Sequence, residues 1–411
     1  MLQTGQTDDK TYYIYNQYGD NPMPPLGPIG IIPLIGSAPF TGRVNDYLLQ
    51  RRTEYLKQST EVADVYPGFI RQDYRVDVDN IRFSSGEGKA VINATTRGHD
   101  IFIISDVVNH ACTYPMYGYE NHMSPDDHYQ DLKRVILAIS GKARRINVIM
   151  PFLYESRQHK RNARESLDCA HMLEELYSLG VVNIITFDAH DERVSNAIPL
   201  SGFENIPAAY QILKALIRTA PDLKINTGGL MIVSPDEGGI PRAMYYASML
   251  GAPLGTFYKR RDYTTVISGR NPIIAHEFLG DSVEGLDILI VDDMISSGES
   301  MLDLAAELKK RKARRIFMAV TFALFTEGLA NFQAAYDRGE FNYVFATNLV
   351  YRQPDLLKAP WYVDVNMAKF VALLIDAINH DASLSSLIDP TDKIRKLLDN
   401  FQKGILPQPT P

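Results

Sequence analysis

Five short stretches of this chain combine residue types that together could hold and rearrange phosphates. In LIVDDMISSGES, Asp292 and Asp293 lead into a small polar loop, Ser296, Ser297, Gly298, Glu299 and Ser300. Carboxylates there could accept hydrogen bonds from sugar hydroxyls. Small residues at a helix start let phosphate oxygens approach unpaired backbone N–H groups. In VSPDEGG, Asp236 precedes Gly238 and Gly239, and FDAHDER places Asp188, His190 and Asp191 within four residues. Imidazole and carboxylate together suit a divalent cation, and Mg²⁺ keeps several of its waters when bound. Two runs are basic: Arg157, Lys160, Arg161 and Arg164, and Lys259, Arg260 and Arg261. Guanidinium and ammonium groups neutralise phosphoryl oxygens. Taken singly, each stretch has an ordinary reading. Ser and Gly cap helices, Asp-Gly-Gly makes turns, a His can end a strand, and charge runs face solvent.

What would bring these stretches together is their place on the elements. HDIFIISDV (99–107), INVIMPFLY (146–154) and VVNIITFDAH (181–190) read as strands, as do GLMIVSP (229–235), DILIVDD (287–293) and RRIFMAVTFAL (314–324). Between them, DDHYQDLKRVILAISGKARR (126–145), ESLDCAHMLEELYSLG (165–180), PRAMYYASMLG (241–251) and ESMLDLAAELKKRKA (299–313) carry apolar residues at helical spacing. Strands alternating with helices predict an α/β fold, with mostly parallel sheets flanked by helices. Two such blocks meet near residues 195–210. Each stretch then follows the carboxyl end of a strand, where open parallel sheets bind ligands, except that Lys259, Arg260 and Arg261 follow the apolar stretch APLGTFY.

The bulk composition sets limits. A chain of 411 residues is long for one domain, and 45% hydrophobic with 22% charged residues is the balance of a soluble globular protein. A net charge of −7 argues against general nucleic-acid or anionic-membrane binding. Cys112 and Cys169 form neither a disulfide framework nor a metal-ligand spacing, which suits a cytoplasmic protein. The first residues lack a signal-peptide pattern, and the apolar stretch from Leu26 to Phe40 is too short and too broken by Gly and Pro to span a bilayer.

The order of motifs resembles that of the ribose-phosphate diphosphokinase (phosphoribosyl pyrophosphate synthetase) family, of the type I phosphoribosyltransferase fold. The similarity runs from about residue 30 to about 388 and is carried by RFSSGEGKAVINATTRGHDIFIIS, INVIMPFLYESRQHKR, VVNIITFDAH, LMIVSPDEGGIPRA, FYKRR and LIVDDMISSGES. It implies an irregular arm (1–27), an N-terminal phosphoribosyltransferase-like domain with ATP-binding segments (28–202), a second such domain with the ribose 5-phosphate site and catalytic loop (203–388), and a tail (389–411). It further implies a homo-oligomer with the ATP site completed at a subunit interface, and diphosphoryl transfer from ATP to ribose 5-phosphate, releasing AMP. Carried over residue by residue, Lys259 and Arg261 are catalytic, and Ser85, Gly86, Glu87, Arg157 and Gln158 contact ATP. His190 and Asp236 hold Mg²⁺, and Asp292 and Asp293 with Ser296, Ser297, Gly298, Glu299 and Ser300 bind ribose 5-phosphate. The chain departs from the family pattern at Ser85 and His159, each where Asp is usual, and at Ser296 and Glu299 in the phosphate loop. These changes motivate a second reading, a non-catalytic relative that regulates an active synthetase. A phosphoribosyltransferase is a third.

Overall fold

The computed structural model describes residues 24–58, 66–161, 163–226, 228–261 and 273–408, and at 57–58, 259–261 and 273–276 it describes the backbone path only. Most of the expected N-terminal arm and the segment after Arg261 lie outside the described residues.

The first half is built on five parallel strands. β1 (Ile29–Pro33) begins the sheet and is followed by α1 (Ala38–Gln58). A half-buried hairpin, β2 (Val78–Arg82) and β3 (Gly88–Ile92), precedes β4 (Asp100–Ile104). A second hairpin, β5 (Thr113–Met116) and β6 (Tyr119–His122), leads into α2 (Pro125–Ile139), whose start is fixed by a reciprocal Ser124–Asp127 capping box. Then come β7 (Arg145–Ile149), α3 (Asp168–Ser178), β8 (Asn183–Phe187) and β9 (Gly202–Ile206). The sheet order is β1-β4-β7-β8-β9. Strands such as DIFII are buried at every position because helices cover both faces, which explains their unbroken apolar runs.

The second half follows the same plan with seven strands. α4 (Ala209–Thr219) comes first, then β10 (Leu230–Ser234), α5 (Ile240–Leu250), β11 (Leu254–Arg261), β12 (Ile273–Leu279), β13 (Asp287–Ile295), α6 (Glu299–Lys310) and β14 (Arg315–Ala323). α7 (Ala330–Asp337), β15 (Tyr343–Thr347), β16 (Tyr362–Val365), α8 (Ala368–Asn379), α9 (Ser385–Ile388) and α10 (Thr391–Gln402) complete the chain. The order is β12-β11-β10-β13-β14-β15-β16, parallel except for β12, which runs antiparallel along the edge of β11.

The two halves share a device at the amino end of a central strand. Asp100 opens β4 beside Arg145 of β7, and Asp287 opens β13 beside Arg315 of β14, each pair in register and each aspartate fully buried. Buried carboxylates need such partners.

One hydrophobic cluster runs through both halves, from Ile29 and Phe102 to Leu289, Phe317 and Val371. The halves are further locked where α8 returns to lie on α1. Asp376, inaccessible to solvent, takes Arg51 Nε at 2.6 Å and Arg52 Nη2 at 3.1 Å, and Asn379 reaches both Arg52 and Asp100. Just beyond β4, Asp106 Oδ2 accepts the backbone N–H of Tyr351 from the other half.

Candidate active site

β8 of the first sheet and β13 of the second end facing one another, and their carboxyl ends meet. Past β8, Asp188 turns the chain with a left-handed φ of +38°, a conformation most side chains avoid. Its carboxylate is held from two directions: Oδ2 accepts the N–H of Ala208 at 3.1 Å and the hydroxyl of Thr321 in β14. The turn delivers His190 to β13, where Nδ1 lies 2.8 Å from Asp293 Oδ2. Asp293 also donates its backbone N–H to Asp292 Oδ1 at 2.9 Å. Arg242, in the first turn of α5, approaches Asp292 Oδ1 at 3.7 Å.

The charges in this cluster set one another. The hydrogen bond His190 donates to Asp293, outweighing partial burial, raises the pKa of His190. Burial alone would raise Asp293, but the bond from His190 and the charge of Arg242 more than reverse it and keep that carboxylate ionised. Asp292 moves the other way, because burial and then the neighbouring Asp293 charge push its carboxyl up. Arg242 is mostly buried, and Asp188, Asp293 and Asp292 together keep it charged despite that. The result is a half-neutralised pair of aspartates with one side open to a hydroxylic ligand.

Immediately downstream, Ser296 and Ser297 are half-buried, Gly298 is buried, and Glu299 and Ser300 are exposed at the start of α6. No side chain caps that helix. Ser296 C=O is tied by Thr326 N–H at 3.0 Å, which anchors the loop to the strand end of β14. Gly298 has φ +85°, and a Cβ there would press into the ring of Phe332, so only glycine fits. The carboxylate of Glu299 lies on the outside of the first turn, where it faces water and the helix dipole favours it.

On the neighbouring strand end, Asp236 Oδ1 accepts the N–H of Gly239, and Ser234 Oγ donates to the Asp236 carbonyl at 2.7 Å. This folds the loop tightly and starts α5, the helix that carries Arg242. After β7, residues Tyr154–Arg157 form a turn with Glu155 at φ +52°. Arg157 is exposed, Gln158 half-buried, and His159 reaches the His190 loop, with Nε2 3.5 Å from Asp191 Oδ2. Lys259 and Arg261 sit on the last residues of β11, opposite β12; their side chains lie outside the described residues.

Ser85, Gly86 and Glu87 form the tip of the β2–β3 hairpin, with Ser85 Oγ donating to Glu87 Oε2 at 2.8 Å and Gly86 at φ +91°. Among the described residues these three make no hydrogen bond or ion pair outside their own hairpin. The structure therefore brings His190 and Asp293 together across two facing strand ends, with Asp292 and the Ser296–Ser300 loop adjoining them and His159 beside the His190 loop. Among the described residues no group of three or more His, Cys, Asp or Glu side chains is placed to hold a metal ion. Nor is any helix long and apolar enough to cross a membrane.

Sequence reasoning passed over two contributors. Arg242 is not singled out by the helical pattern of its stretch; its signal is a lone arginine six residues after Asp236, in the first turn of PRAMYYASML. The second is the tie from Asp188 to Thr321, which joins residues 133 positions apart and has no local signature.

Comparison with known proteins places these features in a family. Residues 54–180 match the model of the N-terminal domain of ribose phosphate pyrophosphokinase, and residues 200–330 match the phosphoribosyl transferase domain. The chain is 30% identical over 292 residues to a ribose-phosphate pyrophosphokinase of Thermosipho africanus, covering 70% of this chain and 79% of that protein. It is 28% identical over 352 residues to the corresponding protein of Pasteurella multocida, covering 85% of this chain and 98% of that protein. The crystal structure of phosphoribosylpyrophosphate synthetase from Mycobacterium smegmatis shares the fold, with TM-score 0.65 and 18% identity over 86% of this chain and 99% of that one.

Proposed function

We propose, from the premise that the chain belongs to the ribose-phosphate pyrophosphokinase family, that it transfers the diphosphoryl group of ATP to ribose 5-phosphate, giving 5-phosphoribosyl 1-diphosphate and AMP. The observation that supports this most is the cross-sheet cluster of His190–Asp293 and Arg242–Asp292, which lies directly before the Ser296–Ser300 loop. It supplies the carboxyl groups a ribose needs next to the uncapped helix start that a 5-phosphate needs.

On this reading Asp292 and Asp293 accept the ribose hydroxyls, and the backbone of Ser296–Ser300 receives the 5-phosphate. The anomeric oxygen then lies outside the loop, free to attack the β-phosphorus. As the anomeric hydroxyl gives up its proton to solvent, a bond forms from its oxygen to the β-phosphorus, the bond from the β-phosphorus to the α,β-bridging oxygen breaks, and AMP leaves with the electron pair. Such a transfer asks little covalent chemistry of the protein, so alignment and charge neutralisation carry it. Arg157 and Gln158 orient the nucleotide, while Lys259 and Arg261 stabilise charge on the moving group.

Mg²⁺ fits the donors present. Asp293 beside Nδ1 of His190 favours the tautomer whose Nε2 can ligate, and Asp236 supplies a carboxylate on the adjoining strand end. Bound there, the ion would neutralise phosphate oxygens. Ser85, Gly86 and Glu87 are proposed to touch the adenine nucleotide of a second subunit, since among the described residues they make no hydrogen bond or ion pair outside their own hairpin. Assembly as a homo-oligomer follows from that role.

The test is direct. Protein supplied with ATP, Mg²⁺ and ribose 5-phosphate should release AMP only when all three are present, and Lys259→Ala should abolish the release. No AMP, or a Lys259→Ala protein indistinguishable from its parent, overturns the proposal in favour of a non-catalytic relative.

A further inference from the structure

Two imidazoles meet beside the cluster, and the diphosphoryl-transfer scheme uses only one of them. His159 follows β7 and His190 follows β8, neighbouring strands of the first sheet, and their ring centroids lie 5.4 Å apart with planes tilted by 57°. Each ring has one nitrogen against a carboxylate: His190 Nδ1 is 2.8 Å from Asp293, and His159 Nε2 is 3.5 Å from Asp191. A carboxylate beside one imidazole nitrogen keeps the proton there and leaves the lone pair on the other. The lone pairs are then on Nε2 of His190 and Nδ1 of His159.

Nδ1 of His159 is out of contact with water and has no hydrogen-bond partner. Its ring is 13% exposed, so solvent does not relieve it. An unsatisfied buried polar atom costs about 1–3 kcal/mol. The fold therefore holds an unpartnered ring nitrogen at its own expense, next to a second, partly exposed imidazole.

A cation satisfies both nitrogens at once, which a single hydrogen-bond donor cannot do. Two imidazoles sharing a metal at bonds of about 2.1 Å place their ring centroids roughly 4.5–5.5 Å apart, the separation found here. Asp191 and Asp293, the ionised carboxylates beside the two rings, offset the charges of Arg193 and Arg242, so these groups together set no net positive charge against a cation. Donor type narrows the choice of metal. Mg²⁺ prefers oxygen throughout its shell, whereas paired imidazoles favour ions of borderline softness.

We propose that His159 Nδ1 and His190 Nε2 together bind one divalent transition cation of the Mn²⁺, Co²⁺ or Zn²⁺ class, its other positions filled by water or phosphate oxygens. The proposal rests on the reading of His190 as a metal residue. It needs only two protein ligands, in accord with the absence of a three-residue metal group among the described residues. An imidazole at position 159 thus tunes which metal the site selects.

The probe is Co²⁺ alone, added to the full-length, chelator-stripped protein. Imidazole ligation is read from the visible d–d band and from proton NMR, where each ligating ring gives one exchangeable, paramagnetically shifted N–H signal. Two such signals are expected. His159→Asn should delete one of them and weaken Co²⁺ binding by about 10–100-fold, with Mg²⁺ binding unchanged. His159→Asp, which restores an oxygen donor, should narrow the preference for Co²⁺ over Mg²⁺, a change that misfolding does not produce. A single imidazole signal in the parent, or equal Co²⁺ affinity in parent and His159→Asn, overturns the inference. If His190→Asn leaves both metals bound as before, the metal reading of His190 fails and takes this inference with it. If His190→Asn abolishes binding and His159→Asn changes nothing, only the inference fails. Ribose 5-phosphate-dependent AMP release, measured separately, decides the diphosphokinase reading.

Discussion

Replacing Gly298 by alanine should damage both the fold and the proposed phosphate loop, by an amount the structure lets one work out. The residue sits at φ +85°, so a Cβ first incurs the left-handed penalty of about 1–2 kcal/mol. It would also lie 2.6 Å from Phe332 Cζ and 3.3 Å from Ile295 Cγ2. Phe332 cannot swing aside freely, because it is fully buried with ring centroids 4.8 Å from Phe325, 5.7 Å from Trp361 and 5.9 Å from Phe341. Forcing a methyl into such packing adds about 1–3 kcal/mol. Gly298→Ala should therefore lose about 2–5 kcal/mol in urea denaturation. Gly328→Ala is the control: its φ is +77° and nothing lies within 4 Å of the added methyl, so it bears only the conformational part. A Gly298→Ala protein still folded at low temperature should show a raised KM for ribose 5-phosphate and an unchanged KM for ATP. If Gly298→Ala costs no more than Gly328→Ala, the packing argument for the loop is wrong.

Asp376→Ala should leave Arg51 and Arg52 facing each other without a carboxylate, one of them fully buried, and cost about 3–5 kcal/mol by calorimetry; a loss under about 1 kcal/mol, the range of a surface pair, would show that α8 is not held to α1 through this pair. The His190–Asp293 bond predicts a pH dependence in metal-free buffer. Folding raises the pKa of His190, so the pair supports the fold fully below the ordinary imidazole range of about 6.5 and loses that contribution as pH rises through the raised value. Asp293→Asn should flatten this part of the stability–pH profile, and an unchanged slope would mean that the two side chains are not paired in solution.

Much of the architecture was legible because parallel strands covered on both faces have to be apolar throughout. DIFII, LMIVS and ILIV could hardly be anything else, and the amphipathic stretches between them supplied the crossover helices. The elements that escaped are those without such a signal. The β5–β6 hairpin carries TYPM and YENH, mixed and mostly exposed. The antiparallel edge strand β12 follows a long polar segment that gives no cue to its return. The site shows the same division. Polar residues just past a strand, such as Asp292 or His190, stand out in sequence because they interrupt apolar runs. Which of them meet depends on contacts over long separations: His190 to Asp293 spans 103 positions, and Asp188 to Thr321 spans 133. Arg242 gained its meaning only once α5 was seen to start against β13. His159 read simply as a departure from the family pattern until its ring was found beside His190.

The central claim is that this site moves a diphosphoryl group, not a single phosphoryl group, onto a sugar phosphate. Phosphorus NMR of one reaction containing the protein, Mg²⁺, ribose 5-phosphate and ATP labelled with oxygen-18 on its β-phosphorus tests it most directly. The account predicts AMP and a sugar 1-diphosphate in equal amounts, with the labelled phosphorus bonded to the sugar's anomeric oxygen and no ADP. ADP with a sugar bisphosphate, or ATP unchanged in the presence of the sugar, would contradict it.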